Sequence, residues 1–135
     1  MKKDATSVLL AGLLVLLISM VLLYAAIYLF PTLMEEYYSA VFRSSSFETD
    51  WLFYVHPFLL SFAIRWFWLR TKDQFTGSDL SKAFQLALVY GLVAMLPVLW
   101  LTFSAIDISF LMVITWLVYG VIQAFIAAMV FARLG

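Results

Sequence analysis

SVLLAGLLVLLISMVLLYAAIYLF, residues 7–30, runs for 24 residues without one charged side chain. At 1.5 Å per residue a helix of that length reaches about 36 Å, enough to cross a hydrocarbon layer of roughly 30 Å. Three more apolar runs follow, WLFYVHPFLLSFAIRWFWL at 51–69, then 83–103 and 110–132. Lipid offers no partners for backbone N–H and C=O groups, so each run must satisfy its own backbone as a helix. Strand-like alternation of apolar and polar residues is absent, which argues against a barrel. The reading is an all-α integral membrane protein, one membrane domain over 1–135, with four transmembrane helices in an up-down bundle.

Composition agrees. The chain has 135 residues, 66% hydrophobic and 12% charged, far too little polar surface for a water-soluble domain. Its mean hydropathy is +1.05. The opening MKKDAT, the apolar run and the small residues of YAA resemble a cleavable signal, but the run continues through IYLF. It reads as a retained helix.

Basic residues set the orientation. Lys2 and Lys3 precede the first span, Arg70, Lys72 and Lys82 lie between the second and third, and Arg133 closes the fourth. Arg65 sits near the same end of its helix and is expected to snorkel outward there. Arg43 alone falls on the other side, among Glu35, Glu36, Glu48, Asp50 and Asp107. The positive-inside rule then places both termini in the cytoplasm, in a membrane of the bacterial cytoplasmic type.

Between the first two spans, Pro31 ends one helix, and Thr32 with Glu35 fits a capping box for another. Leu33, Met34, Tyr37, Tyr38, Val41 and Phe42 share one face of a helix over 32–42. This predicts a short amphipathic helix in the outer interface. Asp50 is the expected cap of the second span.

The chain has no cysteine and no asparagine, and His56 is its only histidine. Disulfides, thiolate metal sites and thiol nucleophiles are therefore excluded, and no metal or cofactor is expected. With Lys and Arg matching Asp and Glu at 8 each, nothing points to a nucleic-acid partner. No nucleophile–base pair or phosphate loop is present, so no catalytic residue is assigned and the reading leans away from an enzyme.

Polar chemistry inside the spans is sparse. Counted at 1.5 Å per residue, His56 lies about 21 Å above Arg70, Tyr119 about 21 Å above Arg133, and Pro97 about 22 Å above Lys82. His56 and Tyr119 are thus expected at one level, with Glu48 and Asp50 approaching from the surface. Pro57 and Pro97 are expected to break the second and third helices in their outer halves. Tyr90 and Gln123 have similar depths and could hydrogen-bond across the third and fourth helices. Small residues recur every four positions at Ala83, Ala87 and Gly91 and again at Gly120, Ala124 and Ala128, which predicts close helix packing. Trp51, Trp66, Trp68 and Trp100 fall towards span ends, as interfacial belts do.

The expected function is that of a small polytopic membrane protein that binds a hydrophobic ligand or lipid, or serves as an accessory subunit. Its expected partners are the bilayer, a hydrophobic small molecule, a second copy or another membrane protein. The alternative is a small oligomeric transporter or channel with an outward-facing polar site at His56.

Overall fold

The computed structural model of the protein describes residues 2–135, and its architecture is 85% helical, with no strand among the described residues. Helix α1 covers Lys2–Leu29, α2 Pro31–Glu36, α3 Phe47–Thr71, α4 Asp79–Tyr90, α5 Leu96–Ala105 and α6 Phe110–Leu134. The five residues Gly91–Met95 join α4 to α5 as one widened π turn, so Asp79–Ala105 forms a single span. Four helices are long and apolar enough to cross a membrane, and the chain is an integral membrane helix bundle.

Local chemistry sets the helix starts. Ser78 Oγ accepts the Ser81 N–H, and Ser109 Oγ accepts the Met112 N–H at 3.1 Å. Gly77, with φ of +93°, supplies the left-handed turn ahead of α4, a conformation that a Cβ would strain. The second span begins at Phe47, four residues before the apolar run, because Ser46 is its N-cap. Asp50 is therefore not the cap. It sits in the first turn and reaches back, accepting the Ser46 N–H at 3.1 Å and the Ser45 hydroxyl at 2.9 Å. Hydropathy misses such first turns because a helix end at the water boundary needs no apolar residues.

The 31–46 connection also departs from expectation. Pro31 stands at the first helical position with Phe30 as N-cap, so the Thr32–Glu35 capping box does not form. Proline fits there because its missing N–H is one that no helical carbonyl would accept. Regular helix stops at Glu36, and successive turns carry the chain through Tyr37–Phe42. Instead of lying free, this segment docks on α6. Tyr37, Phe42 and Trp116 pack as an aromatic trio with ring centres 5.0–6.3 Å apart, and the Trp116 indole N–H donates to the Tyr37 hydroxyl. Glu36 Oε1 accepts the Ser109 N–H at 2.6 Å, tying α2 to the start of α6.

Helix α6 is the hub, packing against α1, α3 and α4, while α1 also packs against α3. One core lies towards the end carrying Arg70 and Arg133, here the basic end. It joins Ala11 and Val15 of α1, Leu60, Ile64 and Trp68 of α3, Ala83, Leu86 and Ala87 of α4, and Ala124, Ala127, Ala128 and Phe131 of α6. The alanines are fully buried, so α4 and α6 approach closely along small side chains. A second core at the opposite, acidic end gathers Leu33, Leu99, Ile108, Met112 and Val113.

Both prolines are accommodated without ending a span. Helix α3 continues through Pro57, whose ring is buried. Before Pro97, the Leu96 N–H reaches five residues back to the Gly91 carbonyl. The widened turn suits a residue that has no N–H and whose ring would strike the carbonyl four positions earlier. Gly91 and Gly120 both lie in the α4–α6 seam. A Cβ on Gly91 would come 2.7 Å from Val121 Cγ2, and one on Gly120 would come 2.5 Å from Met95 Cε.

Candidate functional site

The residues singled out by depth do not assemble into one site. His56 is exposed on the outside of α3 and makes no hydrogen bond or ion pair among the described residues. Tyr119 instead comes within reach of Ser19 on α1. Glu48 is exposed at the start of α3, where its carbonyl accepts the Trp51 indole N–H, and Asp50 is engaged with Ser45 and Ser46. Tyr90 packs half-buried against the main core, and the side-chain hydrogen bond of Gln123 goes to another residue.

Gln123 is 1% exposed, and its Nε2 donates to Ser19 Oγ at 2.8 Å, joining α6 to α1. Ser19 in turn donates to the Val15 carbonyl at 2.6 Å. Ser19 and Gln123 thus form a small polar knot in the apolar interior, with half-buried Tyr119 near Ser19. Equal depth had suggested Tyr90 as the partner of Gln123. Depth alone leaves the rotation of each helix undetermined, and rotation points Gln123 at α1.

The strongest polar feature lies elsewhere. Arg65 does not snorkel; its side chain is 8% exposed and turned into the bundle. Nη2 donates to Asp4 Oδ1 at 2.6 Å and to the Gly135 carbonyl oxygen at 3.1 Å, gathering α1, α3 and the end of α6 at one point. The guanidinium carbon stands 5.4 Å from the centre of the Phe131 ring, in cation–π range. Arg65 turns inward because a carboxylate, a carbonyl and an aromatic face await it there. Trp68, read as an interfacial residue, is also buried and stacks on Phe75 with ring centres 6.2 Å apart. Trp51, Trp66 and Trp100 do face outward.

Among the described residues, four buried polar atoms on this face lack a hydrogen-bond partner: Ser61 Oγ, Arg65 Nε, Arg65 Nη1 and Trp68 Nε1. A buried donor left unsatisfied costs about 1–3 kcal/mol, and native structures hold few of them. Arg65 and Trp68 were legible only as end-of-span residues. The signal for Ser61 and Arg65 was their spacing of four, which puts two polar side chains on one face of a span.

An apolar groove is a separate open feature. Helices α1 and α4 both pack on α6 but scarcely on one another, so a strip of α6 lies open between them. The groove encloses about 500 Å³ and is walled by Leu14, Leu17 and Val21 of α1, Leu80 of α4, and Phe125 and Met129 of α6, with Arg133 at its basic end. That volume is in the range of about 300–1,000 Å³ common for small-molecule sites. A second recess of about 370 Å³ adjoins it over Leu80 and Phe125 and adds the Ser78 and Ser81 hydroxyls.

Comparison with protein-family models, with characterised proteins and with solved structures finds no match for this chain.

Proposed function

We propose that the protein binds a membrane lipid, holding one acyl chain in the groove between α1 and α4. In this reading the four spans cross a bacterial cytoplasmic membrane in up-down order. Both termini and the 72–78 connection face the cytoplasm, and α2 with the turns after it lies in the outer interface. The concentration of Arg70, Lys72, Lys82 and Arg133 at one end supports that direction.

The groove carries the proposal. It is apolar and open along its side, and Arg133 is the one cation in its lining. A phospholipid matches this gradient, with its chain against leucine and phenylalanine and its phosphate near the guanidinium. Native mass spectrometry of the full chain, released stepwise from detergent, tests it. One phospholipid per chain should persist after the surrounding lipids are stripped, and Leu17→Trp with Met129→Trp, which fill the groove, should remove it. Equal retention in the filled variant, or none in the original chain, would refute the reading.

One observation favours a second role as an accessory subunit. Trp51, Leu52, Phe53 and Tyr54 are all exposed, so the opening turns of α3 present every side outward, and His56 lies on the same stretch. A second copy or a partner helix would cover that surface and offer His56 a polar neighbour. Because the chain has no cysteine, Phe53→Cys provides a clean crosslinking probe in native membranes. A crosslinked species of twice the mass or more is expected if a protein lies there, and its absence would assign the surface to lipid. The transporter alternative centred on His56 draws no support from the bundle interior, since that side chain points away from it.

A further inference from the structure

The groove leaves the unpartnered donors of α3 unexplained. Ser61, Arg65 and Trp68 are 0%, 7% and 3% exposed, and spacings of four and three place them on one face of the helix. Other hydroxyls in the spans turn back to a carbonyl three or four residues earlier, as Ser7, Ser19 and Thr115 do. Ser61 does not, although the Pro57 carbonyl stands at that position. Its oxygen, the Trp68 indole nitrogen and two of the three Arg65 nitrogens are therefore left without a hydrogen-bond partner among the described residues.

We infer that the Ser61–Arg65–Trp68 face of α3 binds a small monovalent inorganic anion, of halide or nitrate size, that enters from the basic end of the bundle. The chemistry of the donor set carries this choice. Arg and Trp offer only N–H groups, and the serine hydroxyl can turn its hydrogen inward. A water accepting from these groups would bring two further hydrogens, for which the Ser61 oxygen is the one acceptor that these three side chains offer. An anion accepts from all of the donors and needs nothing in return.

Charge points the same way. The guanidinium is 8% exposed while the Asp4 side chain is 48% exposed, so the compensating carboxylate lies on the solvent side of Nη2 and is screened there. No carboxylate among the described residues pairs with Nε or Nη1. Among the described side chains at that end, Arg65, Arg70, Lys72, Lys82 and Arg133 outnumber Asp4, Asp73 and Asp79, which favours anion entry. The burial of Ala11, Phe131 and the three residues themselves restricts the occupant to a small one.

Iodide quenching of tryptophan emission provides the test, because Trp68 is one of the proposed ligands. The full chain in nanodiscs of zwitterionic lipid is titrated with iodide against gluconate at constant ionic strength. The expected result is a saturable decrease on top of collisional quenching. Trp68→Phe, which keeps a ring to stack on Phe75, should lose the saturable part. Ser61→Ala keeps the reporter and should raise the half-saturating iodide concentration at least threefold. Purely linear quenching, equal in the original chain and Trp68→Phe, would overturn the inference and leave water as the occupant. A saturable part with an unchanged midpoint in Ser61→Ala would also overturn it, since the hydroxyl would then be no ligand. Unchanged far-ultraviolet circular dichroism in both variants establishes that the fold is kept.

Discussion

Gly12→Ala is the sharpest perturbation that the packing allows. Gly12 is buried on α1, and a Cβ built there would fall 2.4 Å from Phe58 Cδ1, 2.8 Å from Cε1 and 3.0 Å from Cγ. Ordinary contact begins near 3.4 Å, so the phenylalanine ring of α3 must retreat by about 1 Å or the two helices must part. Alanine gains about 0.8–1 kcal/mol over glycine in helix propensity. Overpacking a well-filled seam costs about 1–3 kcal/mol, because a rigid ring cannot yield by rotating one bond. The expected balance is a loss on the order of 1 kcal/mol. Gly120→Ala is the matched control. Its Cβ would meet Met95 Cε at 2.5 Å, but that methyl ends a flexible side chain and can swing aside. The propensity gain should then prevail, leaving stability equal or slightly raised. Unfolding of the full chain in mixed micelles, followed by circular dichroism, measures both. Phe58→Leu in the Gly12→Ala background should recover part of the loss, giving a favourable coupling in the double-mutant cycle. A Gly12→Ala chain as stable as the original, or a cycle with no coupling, would refute the reasoning.

Two further outcomes follow from polar contacts. Ser19→Ala strands Gln123 Nε2 inside the bundle, so it should destabilise more than Ser19→Ala combined with Gln123→Leu does relative to Gln123→Leu alone. The cycle should give a coupling of about 1 kcal/mol, typical of hydrogen bonds between membrane helices, and a coupling near zero would remove the contact from the account. Burial pushes the Tyr37 phenol above its ordinary value near 10, partly offset by the Trp116 N–H. The neutral phenol is therefore favoured in the folded state. Its contribution to stability is complete below about pH 10 and is lost as pH rises from there towards the folded value. Absorbance at 295 nm, compared between the original chain and Tyr37→Phe, should show this tyrosine ionising late, and Trp116→Phe should delay it further. Ionisation at or below the ordinary value would contradict the aromatic trio.

The four spans were legible because hydropathy is a sum over neighbours in the chain, and 24 uncharged residues at 7–30 admit only a helix in lipid. Small residues recurring every four positions likewise identified the close α4–α6 seam, because a repeat of four is a face of a helix. The polar contacts were less legible. His56 and Tyr119 share a depth, as do Tyr90 and Gln123, yet neither pair is joined by a hydrogen bond. Depth fixes one coordinate of a side chain, while contact also needs the rotation of its helix. The same gap explains Arg65 and Trp68, read as end-of-span residues and found inside the bundle.

By itself the sequence determined an all-helical membrane protein, with its spans and the asymmetry of its charge, since these follow from local composition. Only the tertiary structure decided which helix is the hub, where α1 and α4 part to leave a groove, and which way Arg65 turns. Those outcomes depend on how four helices rotate about their own axes. That rotation is set by contacts between residues as distant as Asp4, Arg65 and Gly135, a separation across which no local pattern carries information.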